Sequence, residues 1–408
     1  MSNRRWKECA LIMWVCYSGR RPVVRGSVFV FLVLMTVVDK PQLHAQTNGW
    51  NTRWRGKIGM ERDDNIFHLS TSQMLKMGTA DTLFRQSGRY NDMKSIEDVI
   101  IPVSLEFEAS IGNGISSLPL SLQAEVEYQP YTRNPKRSHF VLGVTAQQKV
   151  SERGRIRLRS EYIPSLFWKN YLADATDLTG KVNEGERIYR PATYREWDVS
   201  LDYKHHFEGM LHWLSGMAVV GYRARTYDDP FPGRNQRGLR GTAELEFDFT
   251  KRWSAEVGFV YESVKSPVAE EIMILDEPDY MMDFNNDLDV ADHNRRTVQR
   301  VDRSRSDGLI HVATTIKPLK KLTLQAQFEH LRRHYNSQEP IDPANRGRVD
   351  NRNSFELGVD YNLVWGLHIQ AKYSLEKQMT NTPGDPESLG ETLDYEVRTL
   401  AVGLKWRF

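Results

Sequence analysis

Residues 395–408, the last stretch of the chain, read YEVRTLAVGLKWRF. From Leu400 onward, a large apolar side chain occupies every second position, and small or polar side chains stand between them. Because successive side chains of a strand point to opposite faces, this pattern predicts a strand with one apolar and one polar face. Such a strand promotes aggregation in a soluble protein, whereas lipid around a closed transmembrane barrel accommodates its apolar face.

The same period-two alternation recurs along the whole chain, and a helix cannot produce it. The segments are 7–14 residues long, which is comparable to the about 9–11 residues that a tilted strand needs to cross a bilayer. The predicted strands cover residues 54–61, 103–111, 118–128, 140–147, 155–162, 197–204, 218–225, 243–249, 253–262, 310–316, 322–329, 354–363, 367–376 and 395–408.

The connections between these segments alternate between short and long. Tight turns are predicted at residues 112–114, 250–252 and 364–366, whereas long loops are predicted at 163–196 and 264–308. This alternation is typical of barrels with short periplasmic turns and long extracellular loops. The sequence therefore predicts an all-β, antiparallel, up-and-down transmembrane barrel of about fourteen strands, with a soluble β-sandwich as the alternative.

The terminal motif Leu400-x-Val402-x-Leu404-x-Trp406-x-Phe408 resembles the closing strand of Gram-negative outer-membrane β-barrels. This resemblance implies that Leu404, Trp406 and Phe408 form a signal for the barrel-assembly machinery, which would be a partner of the chain. A second run, Asp63-Asp64-Asn65-Ile66-Phe67, resembles a short run that follows the first strand in some poorly characterised porin-like barrels. No chemistry follows from that run alone.

The amino terminus has the parts of a secretory signal peptide. A basic stretch with Arg4, Arg5 and Lys7 precedes an apolar run over residues 28–38, and Ala45 stands before a polar start. The apolar run is shorter than the ~20 residues of a transmembrane helix. We expect residues 1–45 to be a cleaved signal peptide, residues 46–408 to be the barrel, and the outer membrane to be its location; an uncleaved anchor is the alternative.

Composition excludes several classes of site. Both cysteines, Cys9 and Cys16, lie in the predicted signal peptide, so the mature chain would have neither a disulfide nor a cysteine-based site. The formal net charge is +2, which does not indicate nucleic acid binding. The expected partners are outer-membrane lipids, lipopolysaccharide and small polar solutes.

The predicted inner face carries rows of charged side chains. In a channel, rows of opposite sign produce a transverse field that selects permeants by charge and size. Alternatively, the rows pair across a narrow lumen and close it. The candidate lumen-lining residues are Arg155, Arg157, Arg159, Arg223, Arg225, Glu106, Glu125, Glu127, Glu244, Glu246 and Asp248.

The long loop predicted over residues 264–308 offers a candidate calcium site, because oxygen ligands at alternate positions are typical of calcium loops. However, Leu288 stands where an EF-hand needs glycine and Asn294 where it needs glutamate, so a solvated acidic loop is the alternative. We expect no other metal and no cofactor. The candidate ligands are Asp283, Asn285, Asp287 and Asp289.

The histidines, including His205, His206, His311 and His330, lie in no catalytic motif, and we do not expect an enzyme. A hydrolase at the barrel rim would require a serine or an acid to converge with a histidine in space. The sequence favours a porin-like passive channel for small polar solutes. The alternative is a non-conducting structural, adhesion or assembly-partner barrel that acts through its extracellular loops.

Overall fold

The computed structural model of the 408-residue chain describes residues 50–69, 94–112, 118–172, 189–209, 212–229, 231–274, 296–338, 342, 345–363, 366–381 and 393–407. These residues all belong to one compact unit, Asn48–Phe408. The predicted signal peptide, the candidate calcium ligands and Phe408 lie outside them. Within the described ranges, no helix is long and apolar enough to cross a membrane.

The described residues form seventeen strands and two short 3-10 helices, Pro135–Arg137 and Pro232–Arg234. The strands are β1 (Trp50–Asp63), β2 (Asp98–Ile100), β3 (Val103–Ile111), β4 (Leu120–Gln129), β5 (His139–Lys149), β6 (Gly154–Leu172), β7 (Tyr189–His206), β8 (Leu214–Tyr227), β9 (Gln236–Thr250), β10 (Trp253–Lys265), β11 (Ala269–Ile274), β12 (Arg296–Val301), β13 (Arg305–Leu319), β14 (Leu322–Tyr335), β15 (Val349–Asn362), β16 (Leu367–Asn381) and β17 (Tyr395–Arg407).

Fourteen of these strands form a closed antiparallel wall, which confirms the predicted all-β, up-and-down barrel. Consecutive wall strands pair with one another, and β17 pairs with β1 to close the sheet, with Arg55 opposite Arg407 and Asp63 opposite Thr399. The short strand β2 pairs with one end of β1, and β11 and β12 form a separate two-stranded sheet. Closure removes the unpaired edges that an open sheet would present.

The two faces of the wall differ in chemistry. Large apolar side chains alternate along the strands on the outer face and are strongly exposed, with Val220 69% and Leu239 64% accessible. The inner face carries charged and polar side chains, several of them buried, such as Asp202 and Glu262. Water would not favour so much exposed apolar surface, whereas the hydrocarbon of a bilayer accepts it. The wall is therefore a transmembrane surface with a polar interior.

The connections at the two ends of the barrel differ in length. At one end, the turn end, neighbouring strands are joined by residues 150–153, 251–252 and 320–321. At the other, the loop end, they are joined by longer segments such as residues 64–102 and 266–304. The assignment of the turn end to the periplasm and of the loop end to the exterior stays a prediction.

The structure extends two strands well into a predicted loop. The sequence predicted a loop over residues 163–196, but β6 continues to Leu172 and β7 begins at Tyr189. The pairing of these strands shifts register between Ile163 and Leu166 and again between Phe167 and Lys169. Each irregularity breaks the period of two on which the prediction depended. The alternation therefore disappears from the sequence although the strand continues.

Candidate functional site

The segment that follows β1 turns into the mouth of the barrel at the loop end. We call residues 65–69 the inner segment. Asn65, Ile66, Phe67 and Leu69 are all buried, with Asn65 only 1% exposed. Surface loops usually remain solvated, because buried backbone groups must find hydrogen-bond partners. The inner segment is thus a packed part of the barrel, and its first residues belong to the Asp63–Phe67 run singled out in the sequence.

Asn65 supplies the hydrogen bonds that this burial requires. Its Nδ2 donates to the carbonyl oxygen of Leu69 at 2.7 Å and to that of Glu396 at 3.2 Å. The backbone N–H of Leu69 donates to Asn65 Oδ1 at 2.8 Å. Since Glu396 is on β17, one side chain both shapes the turn and fastens it to the wall. The backbone N–H of Ile66 donates to Ile96 O at 3.1 Å, which adds a second attachment.

His68 contacts residues on both sides of the mouth. The His68 ring centroid lies 4.8 Å from that of Tyr395, and His68 Nδ1 lies 3.8 Å from Glu376 Oε1 on β16. On the other side, the His68 ring lies 6.3 Å from the Trp168 ring on β6. In the order around the wall, β17, β1, β3, β4 and β5 separate β16 from β6. The inner segment therefore crosses the mouth rather than following its rim.

The backbone of His68 is strained. Its φ of 53° is the only positive φ at a non-glycine position within the described residues. A left-handed conformation brings the Cβ close to the backbone and costs about 1–3 kcal/mol at such sites. Burial lowers the pKa of His68, which Glu376 opposes. The ring is therefore held neutral near pH 7 in a conformation that the surrounding contacts must enforce.

A buried arginine supports the apolar side of the inner segment. The Arg137 guanidinium lies 4.8 Å from the centroid of the Phe67 ring, 5.4 Å from that of Tyr131 and 5.2 Å from that of Trp168. Arg137 Nη1 also donates to Trp168 O at 3.3 Å. Cation–π contacts strengthen when water is excluded, and Arg137 is only 6% exposed. Burial also raises the pKa of Tyr131, so its hydroxyl stays protonated.

Asp98 joins the loop before β3 to the loop after β4. This carboxylate is 1% exposed and accepts hydrogen bonds from the backbone N–H groups of Val99, Arg133 and Asn134 at 2.7–2.8 Å. It also accepts from Thr132 Oγ1 at 3.0 Å and from Asn134 Nδ2 at 2.9 Å. Five donors offset the cost of burying the carboxylate. The two loops consequently form one rigid support beside the inner segment.

Glu97 adds an exposed link to this support. Its carboxylate accepts hydrogen bonds from Arg133 and, at 2.9 Å, from Arg62 Nη2. These two arginines hold the pKa of Glu97 below its usual range. Because Arg62 is on β1 and Arg133 follows β4, the link ties the first strand of the wall to the same loops that Asp98 joins.

A polar cavity of about 450 Å³ lies against the inner face of β1 and of β3 to β6. Its lining includes Arg55, Glu125, Arg157, Arg159 and Glu161. Arg159 and Glu161 are exposed to the cavity, and within the described residues neither forms an ion pair within 4 Å. The cavity therefore offers both a free cation and free carboxylates to a solute.

The structure pairs most of the predicted lumen-lining arginines and acids along the wall. Arg157 Nε lies 2.6 Å from Asp202 Oδ2, Arg223 Nε lies 3.0 Å from Asp198 Oδ2, and Arg225 Nη2 lies 2.6 Å from Glu196 Oε2. Each of these pairs joins neighbouring strands. Lateral pairing of this kind neutralises charge without filling the lumen.

Acidic members of the predicted set show the same arrangement. Glu106 Oε1 lies 2.5 Å from Arg55 Nη1, and Glu246 pairs with Lys204. Glu127 accepts a hydrogen bond from Gln129 at 2.5 Å. Within the described ranges, each ion pair in the wall joins two residues of one strand, or residues of two strands that are no more than two positions apart in the order around the wall. The described side chains therefore do not form the alternative arrangement, in which charged rows pair across a narrow lumen.

Three further residues of the predicted set lie apart from these pairs. Arg155, near the turn end of β6, lies opposite Lys149 and Lys204 in the strand register, so cations collect there. Asp248 is exposed near the turn end of β9 and does not line the cavity. Glu244 instead contacts His311, at 3.8 Å between Glu244 Oε2 and His311 Nε2.

The predicted assembly residues Leu404 and Trp406 lie on the strand that closes the barrel. Leu404 pairs with Ile58 on β1, and Trp406 pairs with Gly56. A Cβ added to Gly56 would lie 2.7 Å from the Trp406 ring, so the glycine provides the space for the indole. The structure gives these residues a role in packing the seam, while their role as an assembly signal stays a prediction.

Sequence reasoning missed most of the residues that shape the mouth. Asn65, His68, Asp98 and Arg137 follow no period, because they lie in the segments that connect the wall strands, where the pattern of two does not apply. The signals in the sequence were the Asp63–Phe67 run, which resembles a run in some porin-like barrels, and the clustering of polar and turn-forming residues around Asn134. Neither signal indicates which strands of the wall a loop will contact.

No protein-family model and no curated protein sequence matches the chain. Among solved structures, the chain is similar to OmpT, an outer membrane protein of Vibrio cholerae, with 12% identity over 89% of this chain and 99% of that one and a TM-score of 0.40.

Two other solved structures are similar in the same way. The outer membrane channel DcaP of Acinetobacter baumannii has 10% identity over 89% of this chain and 99% of that one, with a TM-score of 0.43. The toluene transporter TodX of Pseudomonas putida has 9% identity over 88% of this chain and 89% of that one, with a TM-score of 0.40. With its closed wall of fourteen strands, apolar outer face and polar interior, the chain has the fold of a transmembrane β-barrel.

Proposed function

We propose that the chain forms a porin-like passive channel for small polar solutes, narrowed at the loop end by the inner segment. The observation that carries this proposal is the polar cavity of about 450 Å³ inside a closed wall. Its volume is that of a small-molecule site, and its lining offers hydrogen-bond donors and acceptors in place of hydration water.

The lateral ion pairs support this function in two ways. Pairs such as Arg157–Asp202 hold long side chains against the wall, so that they do not extend across the lumen. They also leave a surface of mixed sign, which does not strongly favour anions or cations. The channel would therefore select solutes mainly by size and polarity, with Arg159, Glu125 and Glu161 as the free charges.

The proposed path begins at the mouth that the inner segment crosses. A solute that enters from the loop end passes Phe67, His68 and Arg137, together with the aromatic rings that surround Arg137, before it reaches the cavity. The proposal includes three further expectations: residues 1–45 are a signal peptide, the barrel lies in the outer membrane, and Leu404, Trp406 and Phe408 are its assembly signal. Lipopolysaccharide is the expected neighbour of the loop end.

The test is conductance of the purified, heat-modifiable barrel in a planar lipid bilayer. We expect stable steps of weak ion selectivity. Arg159→Gln removes an exposed, unpaired cation, and it should shift selectivity toward cations with little effect on stability. Arg157→Gln is the matched change in a paired arginine. It leaves Asp202, whose side chain is 4% exposed, without its cation and should destabilise the barrel by about 3–5 kcal/mol.

A folded barrel that gives no conductance would overturn the channel proposal. The alternative would then be a non-conducting structural or adhesion barrel that acts through its extracellular loops, or one that serves as an assembly partner. A barrel that conducts but keeps its selectivity in the Arg159→Gln variant would remain a channel, with a permeation path that avoids the cavity described above.

A further inference from the structure

Three ligand-type side chains converge on the inner wall of β9, β10 and β13, away from the cavity. His311 Nε2 lies 3.0 Å from Glu256 Oε1 and 3.8 Å from Glu244 Oε2. One nitrogen and two carboxylate oxygens, one from each residue, lie within 4.8 Å of one another. In a tetrahedral zinc site with bonds of about 2.0–2.2 Å, neighbouring ligand atoms are roughly 3.3–3.6 Å apart. The three groups therefore need only small movements to bind one ion.

The strand register explains why these groups meet. Gly258 on β10 pairs with Glu244 on one side and with His311 on the other. Glu256 precedes Gly258 by two positions and so shares its face. A Cβ at Gly258 would lie 2.5 Å from His311 Nε2, so the imidazole occupies the space that any other residue would fill. Glycine at this position is what lets the histidine reach both glutamates.

The surroundings of this trio differ from those of other acids on the same wall. Asp198, Asp202 and Glu262 each lie within 4 Å of an arginine, and Glu246 pairs with Lys204. For Glu244 and Glu256, the ion-pair partner within the described ranges is His311 in both cases. Two carboxylates that share one imidazole carry excess negative charge when the imidazole is neutral. That charge favours a cation.

We propose that Glu244, Glu256 and His311 form a binding site for a divalent transition-metal cation in the barrel wall. An imidazole nitrogen with two carboxylates suits zinc and related first-row ions better than calcium or magnesium, which prefer oxygen ligands alone. Three protein ligands leave at least one coordination position open. The site does not depend on the chain being a channel, since it is formed by the wall itself.

The rival arrangement needs no metal: a protonated His311 bridges the two carboxylates as an ordinary ion pair. The two arrangements predict opposite results in a zinc titration. The barrel is purified without a polyhistidine tag, and zinc binding is measured near pH 7 by isothermal titration calorimetry. Cobalt is a second probe, because its visible absorption changes when an imidazole nitrogen becomes a ligand. We expect one ion per barrel and a loss of at least tenfold in affinity in His311→Ala.

Two further variants keep the test decisive. Glu256→Gln changes the most accessible ligand, 37% exposed, and should weaken zinc binding while the barrel stays folded and heat-modifiable. His368→Ala is the matched control, because His368 Nδ1 contacts a single carboxylate, Asp360, at 2.9 Å. It should bind zinc like the wild type. No zinc uptake, or uptake that is unchanged in both His311→Ala and Glu256→Gln, would overturn the site.

Discussion

Asn65 and Leu69 are joined by two hydrogen bonds, one from Asn65 Nδ2 to Leu69 O at 2.7 Å and one from Leu69 N to Asn65 Oδ1 at 2.8 Å. These two hydrogen bonds close a ring that fixes the turn of the inner segment. Asn65→Ala removes both bonds and leaves buried backbone groups without partners, which costs about 1–3 kcal/mol for each group. We expect the inner segment to leave the mouth and the single-channel conductance to rise. Hydrogen exchange at Ile66 to Leu69 should accelerate as well.

The matched control for this change is Asn353→Ala. Asn353 is on the wall strand β15, and its Oδ1 lies 2.8 Å from His330 Nδ1. Removing that side chain also costs a hydrogen bond but leaves the inner segment intact, so exchange at residues 66–69 should not change. Equal acceleration in both variants would show that Asn65 does not specifically hold the turn.

The Asp98 carboxylate gives a second prediction, for the loops beside the mouth. Asp98→Asn keeps one acceptor oxygen and replaces the other by an NH2 group. That group faces either Val99 N–H and Arg133 N–H, which donate to Oδ1, or the backbone and side-chain N–H groups of Asn134, which donate to Oδ2. Loss of two or more bonds to a charged acceptor should cost at least about 3 kcal/mol locally. Limited proteolysis should then cleave the loop after β4. Asp229→Asn, in an exposed loop, is the control and should leave that loop resistant.

A third prediction compares two glycines on the outer face of the wall: Gly56, at the seam where β1 pairs with β17, and Gly241, on β9. A Cβ at Gly56 would lie 2.7 Å from the Trp406 ring, whereas a Cβ at Gly241 would meet nothing within 4 Å. Gly56→Ala should therefore destabilise the barrel by about 1–3 kcal/mol through overpacking, and Gly241→Ala should stay within about 0.5 kcal/mol. The urea midpoint of unfolding in detergent measures both. Equal midpoints would mean that the indole moves aside at little cost.

The inner segment should respond to acid through His68. Its pKa is lowered by burial, with Arg137 and Arg352 adding to the effect and Glu376 opposing it. Above the unfolded value of about 6.5, the ring is neutral in both states and the segment has its full stability. As pH falls below that value toward the lowered pKa, the released ring takes up a proton first, so stability is lost. Conductance should therefore rise on acidification.

His68→Asn separates this effect from other titrations. Asparagine tolerates the left-handed backbone conformation that His68 adopts, and it does not titrate in this range. The variant should keep a narrowed mouth with a flatter conductance profile between about pH 7 and pH 5. A profile that rises as steeply as in the wild type would assign the acid response to another group.

The wall of this barrel follows from the sequence because a lipid-facing strand must alternate. The range of β3 is the one that the pattern predicts, and the strand count is confirmed. Where bulges interrupt the period, as at Ile163 to Leu166, the prediction ended the strand too early. The pattern encodes which face a residue occupies, and it loses this information when one residue is inserted into the ladder.

The mouth could not be predicted in the same way. Arg137 and Phe67 are far apart in sequence, and their contact depends on how two loops fold over a curved wall. The metal candidate shows the intermediate case. Glu244 and His311 belong to inner-facing sets that alternation predicts, but only the register, with Gly258 between them, shows that they meet. Register is a property of paired strands, and a single strand does not contain it.

The pairing of Arg55 with Arg407 has a consequence for how the molecule is made. The first and last wall strands meet only after nearly the whole chain has been produced, and contacts at such separations form slowly because a long loop must close. Until then, β1 and β17 each present a free edge of hydrogen-bonding groups, and lipid offers these groups no partner. Every product of this chain that stops before β17 is therefore an open sheet, and its survival depends on whatever holds those two edges until the last strand is added.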